Sequence, residues 1–165
     1  AMASHDDDTV EKSNLIADFG AVISEFPVTM EAAETVVSRG LMTAMGAPNA
    51  MRGQSYSGNL SARDLHAAGL LHILAADYHP AAILPAVWVL ATTDPRGLAG
   101  ATRLATANPA KALGLTDRGE IAVGKRADLC IVDGRDRVVE TLKAGQIVHS
   151  NGAMTSAAAG LRTVA

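Results

Sequence analysis

The spacing of apolar and polar positions divides the chain into three textures. Through about residue 80, short apolar runs alternate with amphipathic stretches. Asp8 is placed to cap a first helix, with Glu11 in the capping-box position and Gly20 as its stop. Residues 21–24 then read as a short buried strand that closes at Glu25-Phe26-Pro27. Thr29 starts a second helix through Met30, Ala33, Val36 and Val37, closed by Gly40. Residues 41–46 form the next apolar run, which Ala47-Pro48-Asn49 breaks. A Gly/Ser/Asn-rich loop spans residues 52–59. Ser61 with Asp64 opens a third helix, and residues 70–74 lead into Ala75-Ala76-Asp77-Tyr78. A helix followed by a short apolar strand, three times over, is the rhythm of parallel β/α units. An all-helical reading ranks second, because it places Pro27, Pro48 and several glycines inside helices.

From Pro80 to Leu115 the chain turns helical and alanine-rich. Asp94-Pro95 and Asn108-Pro109 each read as an N-cap followed by proline at the first helical position. Beyond that, residues 119–125 have a turn-rich β texture. Strands follow at 129–132 and 138–142, and Lys143-Ala144-Gly145-Gln146 reads as a hairpin turn into Ile147-Val148. The expected division is residues 1–115 for β/α units, 116–152 for a small antiparallel β unit, and 153–165 for a flexible tail.

Composition narrows the function classes. Of 165 residues, 48% are hydrophobic and 19% charged, the balance of a globular chain. A formal charge of -3 and 3% aromatics give no footprint for nucleic acid or for an anionic membrane surface. No apolar run approaches the roughly 18 residues of a membrane span, and no signal peptide opens the chain, so cytoplasm is expected. The lone Cys130 sits in an apolar run and reads as a buried strand thiol in a reducing compartment.

Candidate chemistry concentrates where apolar runs end. His5, before the first helix, sits where a strand would finish. An imidazole there suits Zn²⁺, Mn²⁺ or Fe²⁺, while a surface histidine in an acidic cap is the plainer alternative. Asp77 follows a run that should be buried and precedes Pro80. A carboxylate there must be paired or metal-bound, unless it simply caps a helix. Glu25 repeats the pattern, either orienting a ligand or stabilising a loop. Asn49, Arg52, Ser57 and Asn59 belong to a glycine-punctuated polar loop whose amides and arginine could hold phosphate. His66 and His72 read as structural, His149 is remote in the β unit, and His79 is close enough to Asp77 in sequence to reach the same site.

In order, Ser4-His5-Asp6-Asp7, Ile23-Ser24-Glu25-Phe26-Pro27, Met45-Gly46-Ala47-Pro48-Asn49, Arg52-Gly53, Ser57-Gly58-Asn59 and Asp77-Tyr78 resemble the α-D-ribose 1-methylphosphonate 5-triphosphate diphosphatase family. The run from Gly119 to Leu129 resembles the wider amidohydrolase superfamily. The resemblance implies the C-terminal part of a (β/α)₈ metal-dependent hydrolase barrel plus part of its companion β-sandwich. It implies His5 as a metal ligand and Asp77 as metal ligand and proton acceptor. Glu25, Asn49, Arg52, Ser57 and Asn59 would line the substrate site. The implied reaction is hydrolysis of a phosphorylated sugar, a ribose 5-triphosphate compound, to 5-phosphate and pyrophosphate with a divalent metal. A cyclic-amide or deacetylase-type hydrolase, or a catalytically inactive truncated domain, is the alternative. The family's His-x-His pair and bridging lysine are not found in this sequence. The expectation is therefore an incomplete chain, with little activity alone, that forms a homo-oligomer or joins a missing N-terminal half.

Overall fold

A computed structural model describes residues 1–55, 58–134 and 137–152. The chain divides into two units, with the boundary at Gly119/Glu120 and not at 115.

In the first unit β1 (Ala3–His5), β2 (Ile23–Glu25), β3 (Met42–Gly46) and β4 (Ile73–Ala75) form one sheet in sequential order, every pair parallel. The crossovers are helical: α1 (Val10–Asp18), α2 (Met30–Ser38), then α3 (Ala47–Arg52) with α4 (Ala62–Ala67). Thr29 and Ser61 cap α2 and α4 as expected, their hydroxyls accepting from the amides of Ala32 and Asp64 at 3.1 Å each. The cap of α1 is Thr9 and not Asp8: Thr9 is the last extended residue, and its hydroxyl accepts from the Lys12 amide.

Strand register assigns side chains to faces, because successive residues alternate across a strand. Ser4, Ser24 and Thr43 share a row, and Met45 pairs with Leu74. This face lies under the helices, and its core joins Met45 and Leu74 to Ala33, Leu65, Leu90 and Leu104. The abundant alanines (Ala33, Ala47, Ala50, Ala62 and Ala86 are all fully buried) let helix backbones approach the sheet closely. His5, Glu25, Ala44 and Ile73 form a row on the opposite face.

After a 3₁₀ turn at Pro80–Ala82 come α5 (Ile83–Ala91), α6 (Gly97–Arg103) and α7 (Ala107–Ala112). The proline pairs here are not cap-plus-first-turn motifs. The cap positions are Arg96 and Thr106. Asp94 instead accepts the Arg96 amide at 2.8 Å, and Asn108 lies inside α7, donating through Nδ2 to the His72 carbonyl at 2.8 Å. Asp94 also pairs with His66, so both side chains serve tertiary contacts, which local sequence does not announce.

The second unit holds β5 (Leu129–Val132), β6 (Val138–Lys143) and β7 (Gln146–Ser150), antiparallel in that order. Ala144 and Gly145, with φ of 51° and 80°, make the hairpin turn, two left-handed residues matching strand twist. No strand forms over 119–125. Cys130 is exposed, contrary to expectation, because β5 is an outer strand of a single three-stranded layer. The expected tail, 153–165, lies outside the described residues.

Candidate active site

A parallel sheet puts every strand's C-terminal end on one edge, and the sequence's candidates gather there. His5 ends β1 with its side chain 58% exposed. Its Nδ1 lies 3.1 Å from Asp6 Oδ2, leaving Nε2 directed elsewhere. That arrangement, one ring nitrogen held by a carboxylate, fixes an imidazole for ligation through the other. Lys12 supports the strand end, donating to the carbonyls of His5 (3.2 Å) and Asp6 (2.6 Å). Glu25 ends β2 directly beside His5 in the register.

Phe26 links these residues to Asp77. Its ring centroid is 5.4 Å from that of His5. Gly46, at the end of β3, leaves no room for a Cβ while Asp77 stands where it does. A Cβ there would stand 2.7 Å from Asp77 Oδ2 and 3.2 Å from Phe26 Cζ. The Asp77 carboxylate therefore lies over the end of β3, where the Phe26 ring, neighbour of the His5 ring, also closes on Gly46. Asp6, Phe26 and Asp77 each have φ of 53°, a left-handed conformation that costs a non-glycine residue roughly 1–2 kcal/mol. Each is the first or second residue past a strand end. The strain sits on the residues that carry the rim's side chains.

Arg52, in the last turn of α3, donates to the Tyr78 hydroxyl at 2.6 Å, tying its loop to the residue after Asp77. Asn59 is exposed, and the neighbouring Leu60 amide bonds to the Val28 carbonyl, placing this loop over the end of β2. Ser57 lies outside the described residues. Asn49 is not at the rim surface. It is 6% exposed and its Oδ1 accepts the Ala62 amide at 2.8 Å, so it tethers α4 to α3 in place of the expected substrate contact.

Sequence reasoning missed four participants: Gly46, Tyr78, Lys12 and Asp7. Asp7 is fully buried behind the rim, bonded to Ser4 and Ser24. The displaced titrations lie at the other end of the sheet. Burial lowers the pKa of His72, opposed by a backbone bond with Leu70 and aided by Lys111. Burial raises Asp94, but the Arg96 amide and His66 outweigh it and hold the carboxyl low.

The donors at the rim are of the right kind for a divalent cation, an imidazole and carboxylates. They are too few for a closed site: among the described residues no three His, Cys, Asp or Glu side chains are grouped to hold a metal.

A parallel β/α sheet with its polar groups on the C-terminal rim is the architecture in which loops after the strands form a site, and comparison with known proteins narrows it. A model of the amidohydrolase family matches residues 89–149. The chain is 47% identical over 138 residues to the alpha-D-ribose 1-methylphosphonate 5-triphosphate diphosphatase of Escherichia coli (strain K12), covering 82% of this chain and 36% of that protein. It is 42% identical over 64 residues to the dihydroorotase of Methanopyrus kandleri, covering 39% of this chain and 15% of that protein. The crystal structure of a beta-aspartyl dipeptidase from Fervidobacterium islandicum matches with a TM-score of 0.66 at 18% identity, over 90% of this chain and 47% of that one. The chain is thus similar to the amidohydrolase family over residues 89–149 and, over most of its length, to the diphosphatase. It spans about a third of the length of the diphosphatase it matches. Its first unit is part of a (β/α)₈ barrel, as expected. Among the described residues no helix is long and apolar enough to cross a membrane.

Proposed function

We propose that this chain supplies the later β/α units of a metal-dependent hydrolase acting on a ribose 1-alkylphosphonate 5-triphosphate, releasing pyrophosphate and leaving the 5-phosphate. The carrying observation is that Asp77 and Phe26 both close on Gly46, with the Phe26 ring centroid 5.4 Å from that of His5, in a chain 47% identical to such a diphosphatase. A divalent cation (Zn²⁺, Mn²⁺ or Fe²⁺), when bound, supplies positive charge that acidifies water and offsets phosphate charge. His5 and Asp77 are this chain's donors to it, and further donors come from outside the described residues. Asp77 accepts the proton of the attacking water. Water's oxygen bonds to phosphorus as the bond to the pyrophosphate oxygen breaks. Arg52, steadied by Tyr78, grips phosphate oxygens through its guanidinium fork. Glu25 and Asn59 border the sugar. Hydrolysis of a cyclic amide on the same scaffold is the runner-up, favoured by the dihydroorotase match and disfavoured by Arg52 at the rim.

β1 and β4 are the outer strands of the parallel sheet, and an outer strand presents unpaired amides and carbonyls. In the proposed enzyme they pair with further strands, from a complementary half or a second copy. The exposed lone Cys130 suits the reducing cytoplasm.

The test is pyrophosphate release from a ribose 5-triphosphate compound with added Mn²⁺, Zn²⁺ or Fe²⁺. The 165-residue chain alone should turn over little, and in the assembled enzyme Asp77→Asn should lose about 10²–10⁴-fold, the range of a general base. Turnover by the isolated chain that vanishes in Asp77→Asn would refute the part-centre reading. Unchanged turnover of assembled Asp77→Asn would refute the role of Asp77.

A further inference from the structure

Asp7 is a buried carboxylate that the proposed chemistry does not use. It has no exposed surface, and isolated burial of such a charge is costly. Its Oδ2 accepts the hydroxyls of both Ser4 (2.6 Å) and Ser24 (2.5 Å), at the short end of charge-assisted bonds. Its Oδ1 is buried without a hydrogen-bond partner, 3.8 Å from Lys12 Nζ. Its carbonyl accepts the Val28 amide at 2.8 Å. One side chain thus bonds a residue on β1 and a residue on β2, and its backbone bonds the segment following β2.

Ser4 and Ser24 are register partners on the helix-covered face. Each immediately precedes a residue of the opposite face, His5 and Glu25, which are register partners in turn. Fixing the serines fixes the strand ends from behind, where nothing touches the reacting groups. We propose that Asp7 is a positioning residue: its carboxylate clamps Ser4 to Ser24 so that His5 is held beside Glu25 and against the Phe26 ring. An apolar side chain of the same size would fill the space but could not fasten two strand ends to one oxygen. The consequence for metal rests on the reading of His5 as a ligand. The positional claim does not.

The experiment follows His5 ring-proton shifts by NMR at fixed pH in the labelled chain, since the adjacent Phe26 ring displaces them. Ser24→Ala and Asp7→Ala, each checked for intact amide spectra of β3 and β4, should lose most of that displacement. Asp7→Asn, which keeps an acceptor oxygen for the hydroxyls, should retain it, a rescue that general loosening would not give. Zn²⁺ titration of the same samples should show affinity falling about tenfold in Ser24→Ala and Asp7→Ala, as for loss of an outer-shell support. If Asp7→Ala does not fold, Ser24→Ala decides. His5 shifts identical to wild type in a folded Ser24→Ala chain would overturn the proposal. A wild-type chain that takes up no zinc would defeat the metal reading alone, and the ring shifts would still decide the clamp.

Discussion

The two edges of the parallel sheet solve the same turning problem with different residues. At the N-terminal edge, where helices return to strands, the left-handed positions are Gly20, Gly40 and Gly69, with φ of 84°, 84° and 71°. Glycine takes that conformation without a Cβ penalty. At the C-terminal edge, the left-handed residues one or two positions past strand ends are Asp6, Phe26 and Asp77, each carrying a side chain into strained backbone. Polar groups divide the same way. Below, the part-buried His72 Nδ1 meets the Thr43 hydroxyl at 3.1 Å, and the nearly buried His66 meets Asp94 at 3.1 Å. Above, His5 and Tyr78 are largely exposed. One edge is arranged for stability and the other keeps side chains at the cost of strain, the division expected where loops after parallel strands form a site.

The largest expected effect tests the stable edge. Asp94 is shared by His66 and the Arg96 amide, and it packs so closely on Gly100 that a Cβ there would meet Oδ1 at 1.9 Å. Asp94→Ala leaves His66 buried without its partner and should cost about 3 kcal/mol in urea denaturation. Turnover per folded molecule should stay as in wild type. A fall in turnover with unchanged stability would erase the distinction between the edges.

Gly46→Ala tests the opposite edge. The new methyl cannot coexist with Asp77 Oδ2 at 2.7 Å, so the carboxylate moves. Displacement of a reacting group by about 1 Å costs on the order of 10²-fold in rate. Assembled enzyme should show that loss in kcat, with a melting temperature close to wild type. Normal kcat would mean that Asp77 does not act from this position.

The stable edge was legible only in outline. Gly20 and Gly40 mark the helix ends, and Thr29 and Ser61 announce their caps through local spacing alone. The same local logic misassigned Asp94 and Asn108, whose partners, His66 and His72, lie 28 and 36 residues away. At the rim, Glu25 and Asp77 stood out because each ends an apolar run, and His5 because it precedes a helix start. Asp7 was not, because in Asp6-Asp7-Asp8 it looks like one more solvated acid. Only the register that sets Ser4 opposite Ser24 reveals its burial, and parallel register is a long-range property. Asn49 stood in a polar loop by sequence, yet it folds inward because the Ala62 amide at the start of α4 needs an acceptor.

Acid should weaken the stable edge first. The folded-state pKa of His72 is lowered, chiefly by burial, so folding disfavours its proton. Its contribution is complete above about pH 6.5 and is lost as pH falls through the lower folded value. Asp94 is also held low, so its contribution is present above about pH 3.9 and lost on further acidification. Thermal melts from pH 7 to 3 should therefore decline in two stages. His72→Gln should flatten the upper stage and Asp94→Asn the lower. A single decline unaffected by either substitution would count against this account.

The smallest expected effect bears most directly on the contrast between edges. An added methyl at Gly20 would have no atom within 4 Å, so Gly20→Ala meets no steric neighbour and isolates the backbone cost. With φ of 84°, alanine should destabilise the chain by about 1 kcal/mol, the penalty of left-handed backbone for an L-residue. Asp6→Gly is the reciprocal exchange. It relieves strain at φ of 53° but adds unfolded-state freedom worth roughly 0.5–1 kcal/mol, so the two terms nearly cancel. Its stability should lie within about 0.5 kcal/mol of wild type, as for an ordinary surface change. The His5 ring should nevertheless respond, because Nδ1 loses the Asp6 carboxylate 3.1 Å away. Urea midpoints for both variants, with His5 ring shifts for Asp6→Gly, make the measurement. A clear gain in stability with an unmoved His5 ring would mean that Asp6 bears strain without serving the rim.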